Sequence, residues 1–386
     1  MDTTRFPAQF TIAAPQLFDG TVMQGPALVT VSDGLIESVR PGDVAALGAI
    51  TLPDDAILAP CFIDIQVNGG GGVLLNDQPT AAGIRVIVDA HRKSGTTGCL
   101  PTLITDRRDV LERLVEVAPA ALTIPGVLGF HLEGPALNKA RKGIHLESGI
   151  RVPDARDMAA LKSFGHCGRS SVTLAPECVK ASVIDDLIAS GLRISIGHSD
   201  ATARQVAQAA DRGVTGVTHL FNAMSQLTAR EPGVVGAALC DDRLFAGIIC
   251  DGLHVDPASL RIAIQCKEYD RLMLVTDAMP LVGTDQRDFL LQGRRISLQA
   301  GRLTGPDGTL AGAHLTMIEA VRNAVTMLGV ELADALTMAS RTPASFLGLE
   351  SQLGSIAPFY RADLVAFSSR FEVIETWIAG QPLEST

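Results

Sequence analysis

The chain has 386 residues, 47% of them hydrophobic, and its 32 basic against 42 acidic side chains leave a formal net charge of −10. That balance excludes the basic face a nucleic-acid partner would need, so any phosphate must be read by a local cluster. No run approaches the roughly 18 apolar residues of a membrane helix, and Met1 to Phe6 lack an apolar stretch behind a basic start, which predicts a cytoplasmic protein with no membrane partner. The length exceeds what one core usually fills, so a large domain with a smaller one is expected. Seven cysteines are scattered without a Cys-x-x-Cys pair and read as reduced, buried thiols.

Residues 1–57 carry short β-like runs broken by Gly, Pro and Asp, such as Ala27-Leu28-Val29-Thr30-Val31 before Ser32-Asp33-Gly34. This is hairpin chemistry, and it forms the N-terminal part of a small β domain. Over 58–355 apolar runs alternate with Ala-rich amphipathic segments, the pattern of βα units. Eight strands are predicted, over 57–67, 97–104, 126–133, 171–177, 193–198, 215–220, 245–251 and 271–277. The fold class is therefore α/β, a TIM-type (β/α)8 barrel. Gly69 to Gly72 lack dinucleotide-loop spacing and read as a flexible βα loop. Beyond the helical 314–347 region, Ala362–Phe367 and Val373–Ile378 again read as strands. Residues 356–386 then complete the small β-sandwich domain from the other chain end.

Four of the barrel runs end in one chemically competent side chain: His131-Leu132-Glu133, Gly197-His198, Thr218-His219 and Thr276-Asp277. A strand that is apolar throughout and polar only at its C-terminal tip suits a parallel barrel, where the chemistry sits on the rim. His198 and His219 are 219 − 198 = 21 residues apart, the length of one strand tip, helix and next tip. Both imidazoles would thus aim at one point, and Glu133 completes a three-ligand set with an open position, a catalytic rather than structural zinc pattern. Asp277 can take a proton from water and pass it to a leaving amine. His131 shares a strand face with Glu133 and is not assigned as a ligand. Lys139, Arg141 and Lys142 form a polar loop read as a solvated charge run.

The motifs His131-Leu132-Glu133-Gly134-Pro135, Gly197-His198-Ser199, Thr218-His219-Leu220-Phe221-Asn222-Ala223-Met224, Arg230-Glu231-Pro232-Gly233, Asp251-Gly252-Leu253-His254 and Leu274-Val275-Thr276-Asp277-Ala278 together resemble the amidohydrolase superfamily and, within it, the N-acetylglucosamine-6-phosphate deacetylases. The resemblance covers nearly the whole chain. It implies Glu133, His198 and His219 as ligands of one divalent metal per subunit, Zn2+ foremost, with Fe2+, Co2+ or Mn2+ as alternatives. It implies Asp277 as catalytic acid-base, assisted by His145, and substrate contacts from Ile144, His145, Asn222, Ala223, Arg230, His254 and the Leu310-Ala311-Gly312 loop. The expected reaction is hydrolysis of the acetamide of a small sugar phosphate, N-acetyl-D-glucosamine 6-phosphate or its galacto epimer. A homodimer is implied, with Arg230 contributed across the interface. Where most amidohydrolases carry His-x-His in the first strand, this chain has Gln66-Val67-Asn68. Amides are weak ligands beside imidazole, which favours a single metal and disfavours reactions built on that histidine pair.

Overall fold

Eight short strands pair in chain order into one parallel sheet: β1 Phe62–Val67, β2 Thr96–Ile104, β3 His131–Glu133, β4 Ser171–Leu174, β5 Arg193–Ile196, β6 Gly216–Val217, β7 Phe245–Ile249 and β8 Leu272–Val275. The computed structural model describes residues 7–42 and 48–383, so the reading of Met1 to Phe6 lies outside the described residues. Every residue of β1 and β2 is buried, because one face lines the barrel interior and the other meets helices. A parallel bridge from Val67 to Ala278 links the first and last strands. Asp64 reinforces that seam by accepting from the backbone N–H (3.3 Å) and the hydroxyl of Thr276.

The helices between strands owe their positions to caps and one apolar face. Thr80 accepts from Gly83 N at the start of Ala81–Arg92, whose Ile84, Ile87 and Val88 are buried. Thr202 and Gln205 form a capping box on Ala203–Asp211, as Thr316 and Glu319 do on Met317–Leu328. Such reciprocal side-chain bonds satisfy backbone donors the helix cannot pair itself.

The strand expected over 57–67 proves to be two. Ala56–Pro60 pairs antiparallel with Leu364–Ser368 in a separate sheet, and the chain re-forms as β1 only after Cys61. Cys61 N–H still donates to Asp363 O at 3.0 Å, and from Phe62 onward the chain pairs with Thr96–Ile104 instead. A second sheet holds Ala27–Ser32 against Leu35–Pro41, turning through Asp33 and Gly34, both at positive φ. The two sheets enclose a core containing Ile12, Val29, Leu58, Leu364 and Trp377, so both chain ends do build one β-sandwich.

Two local readings need correction. Gly69–Gly70 pairs with Val73–Leu74 in a two-stranded hairpin rather than forming an open loop. Leu310 to Gly312 lie not in a loop but in the strand Leu310–Ala313, the last of a four-stranded antiparallel meander between β8 and the next helix. That meander has its own small core of Leu291, Ile296 and Leu303, and its polar, alternating sequence lacks the continuous apolar signature of barrel strands. Of the seven cysteines, Cys61, Cys99 and Cys250 are buried, whereas Cys240 and Cys266 are exposed; all are free thiols. Among the described residues no helix is long and apolar enough to cross a membrane.

Candidate active site

At the C-terminal mouth of the barrel three strand-tip residues, His198, His219 and Asp277, have φ of 48°, 33° and 51°. The left-handed region is uncommon for residues with a Cβ and costs on the order of 1–3 kcal/mol each. Each strand thus ends in an abrupt turn at its functional residue, and all three side chains line one cavity of ≈340 Å³. That size suits a small-molecule ligand.

Glu133 Oε1 lies 3.0 Å from His198 Nε2 and 3.0 Å from His219 Nε2, and the two Nε2 atoms are 3.1 Å apart. Donors held at the usual 2.0–2.1 Å from one tetrahedral centre would be roughly 3.3 Å apart. The three buried groups therefore fit a divalent ion. His198 Nδ1–H donates to Arg141 O at 2.8 Å, which fixes the tautomer and leaves the Nε2 lone pair free as a ligand. His219 Nδ1 is buried with no hydrogen-bond partner.

The electrostatics follow from burial and crowding. Burial pushes the Glu133 carboxyl up, but the close approach of His198 and His219, with His145 beside them, outweighs it and holds the group well below the ordinary carboxylate range. Burial pulls His145 down to about 3, with the neighbouring His198 adding to the effect. Its Nδ1 accepts from Thr105 N at 3.3 Å, so the ring proton of the neutral form sits on Nε2, 3.8 Å from Glu133 Oε2. A neutral imidazole in that tautomer presents an N–H to the cavity. Asp277 is raised by burial and by the Glu133 charge. His254 Nδ1 pairs with Asp251 Oδ2 at 2.6 Å, leaving its buried Nε2 without a protein partner.

Ile144, Asn222, Ala223, Leu310 and Gly312 also line the cavity. Gly312 has φ of 62°, and a Cβ there would meet Met279 Cγ at 2.6 Å and Asp277 O at 2.8 Å, so only glycine lets this strand approach so closely. Ala311 does not line the cavity: it is fully buried in the meander core, because strand neighbours face opposite sides. Arg230 is exposed in the 226–231 loop and is not brought to this chain's cavity. His131 lies fully buried below the site between Thr102 (3.3 Å) and Thr173 (2.7 Å), and burial lowers it to about 4. Arg141, read as part of a solvated run, lines the cavity and pairs with Asp200 at 2.7 Å. Thr309, Met279 and Asn68 line it too. For Thr309 and Met279 the sequence gives no signal, since their placement depends on the inserted meander.

Residues 57–383 match the amidohydrolase family. The chain is 41% identical to an N-acetylgalactosamine-6-phosphate deacetylase of Shewanella sp. (strain ANA-3), over 92% of this chain and 91% of that protein. It is 34% identical to an N-acetylglucosamine-6-phosphate deacetylase of Haemophilus influenzae, over 92% and 93%. A solved N-acetylglucosamine-6-phosphate deacetylase from Pasteurella multocida matches with a TM-score of 0.93 at 34% identity, covering 98% of this chain and 100% of that one.

Proposed function

The chain belongs to the amidohydrolase family, and we propose that it hydrolyses the acetamide of N-acetyl-D-glucosamine 6-phosphate to D-glucosamine 6-phosphate and acetate, in amino-sugar catabolism or recycling. The observation that carries the reading is one cavity shared by a Glu-His-His donor set and the acid-base candidate Asp277. When bound by Glu133, His198 and His219, a divalent ion, proposed to be Zn2+, supplies the Lewis acidity that polarises the acetamide carbonyl and acidifies water.

The chain's own groups do the rest. Asp277 takes a proton from the attacking water as its oxygen bonds to the carbonyl carbon. His145 donates its Nε2–H to the carbonyl oxygen as negative charge develops there. Asp277 then returns the proton to the nitrogen as the C–N bond breaks, so amine and acetate leave. Leu310, Gly312, Asn222 and Ala223 shape the sugar pocket. His254, held by Asp251, offers Nε2 to the phosphate.

The phosphate needs more positive charge than His254 provides, and Arg230 suits it through paired guanidinium donors. Because Arg230 is exposed and absent from its own chain's cavity, we place it in the site of a two-fold partner. Leu227, 56% exposed in the same loop, is apolar surface that such an interface would cover. Mixing tests the arrangement. Arg230→Ala and Asp277→Asn chains, unfolded and refolded together in equal amounts, should give about half mixed dimers, each with one intact site. Activity should recover to about a quarter of wild type. No recovery, with mixed dimers confirmed by mass, would reject the shared site.

The 41% identity to an N-acetylgalactosamine-6-phosphate deacetylase favours a second reading, in which the axial C4 hydroxyl of N-acetyl-D-galactosamine 6-phosphate is accepted. Turnover measured side by side on both 6-phosphates and on unphosphorylated N-acetylglucosamine decides. We expect both phosphorylated sugars to exceed the unphosphorylated one in kcat/KM by about 10²-fold or more, since charge-assisted phosphate contacts are lost with the phosphate. Equal turnover of the unphosphorylated sugar would sink the sugar-phosphate assignment.

A further inference from the structure

Gln66 and Asn68 stand two residues apart at the end of β1, so both side chains face the barrel mouth. Gln66 Nε2 donates to Asp277 Oδ1 at 3.0 Å and lies 3.4 Å from Glu133 Oε1. Asn68 Nδ2 donates to the same Asp277 Oδ1 at 2.7 Å. Both amides are buried, at 2% and 1% exposure. Asn68 Oδ1 has no partner, so the bond to Asp277 is what fixes that amide. Asp277 Oδ2 receives no hydrogen bond among the described residues. The carboxylates of Asp277 and Glu133 repel one another, and the Gln66 amide bridges them with neutral donors.

We infer that Gln66 and Asn68 are positioning residues for the acid-base step: together they clamp Oδ1 of Asp277 and leave Oδ2 free to carry the proton between water and the leaving nitrogen. The inference rests on the deacetylase reading and adds to it two residues so far notable only as absent metal ligands. A carboxylate on a strand tip with one oxygen doubly bonded has little rotational freedom about χ2. Its second oxygen therefore points in a fixed direction, and proton transfer depends steeply on such placement.

A double-mutant cycle tests this. Gln66→Met and Asn68→Leu, near-isosteric and without donors, are made in the wild-type chain and in Asp277→Asn. kcat, KM for N-acetylglucosamine 6-phosphate and metal content by elemental analysis are measured for each. In the wild-type chain each substitution should lower kcat roughly 10-fold or more, the scale of a hydrogen bond to a charged group, with KM and metal content within about twofold. In Asp277→Asn the same substitutions should change the residual kcat less than about twofold, because residues acting through one partner are not additive. Equal losses in both backgrounds, or metal loss that accounts for the activity loss, would overturn the inference alone. An Asp277→Asn chain that keeps most of its kcat would overturn the role of Asp277 as well. If either first-choice chain does not fold, Gln66→Leu or Asn68→Ala enters the same cycle with the same criteria.

Discussion

A His219→Gln chain is expected to keep its fold, lose its tightly held metal on dialysis and fall in activity by more than about 10²-fold. An amide oxygen is a much weaker donor than an imidazole nitrogen, and even partners one layer outside a metal typically cost 10–100-fold when removed. Glutamine roughly matches the volume of histidine, so the packing around a buried tip, 4% exposed, should survive. Elemental analysis and circular dichroism on the same sample separate the two effects. Full metal content with activity lost, or activity retained without metal, would remove His219 from the donor set. The wild-type chain should hold one such ion, since only one Glu-His-His group lies within ligand distance among the described residues and Gln66 and Asn68 point at Asp277 instead. Two ions retained after dialysis would reject that stoichiometry.

Asp277→Asn should do the opposite to metal and the same to turnover. Metal content and KM should stay near wild type while kcat falls about 10²-fold or more, the usual scale for a lost general acid-base. Asparagine preserves the shape and can stay in the mouth beside Gln66 and Asn68, but it cannot take a proton from water. A variant retaining a large fraction of wild-type kcat would assign the proton to another group. His254 would be the first candidate, because its buried Nε2 has no protein partner.

The barrel and its chemistry were legible in the sequence for one physical reason. Parallel strands buried on both faces are apolar along their length, so Glu133, His198, His219 and Asp277 stand out as the polar tips. The β-sandwich was legible from Asp33-Gly34 and from the strand-like runs at both ends. The meander after β8 was not, because its strands are half-exposed and alternate like any surface hairpin. With it were hidden the strand geometry that turns Ala311 away from the cavity and the approach of Thr309.

Arg141 looked like one of three loop cations, and only the fold sets its backbone carbonyl against His198 and its side chain at the cavity. Gln66 and Asn68 read as departures from a ligand pair, and their bonds to Asp277 span about 210 residues of sequence that local pattern cannot connect. The sequence by itself determined which side chains occupy the strand tips, since burial on both faces leaves those strands largely apolar and their interior polar groups, such as Asp64 and Thr173, are hydrogen-bonded within the barrel. Only the tertiary structure decided where they aim. The left-handed turns at His198, His219 and Asp277 persist because the closed barrel holds both sides of each turn in place.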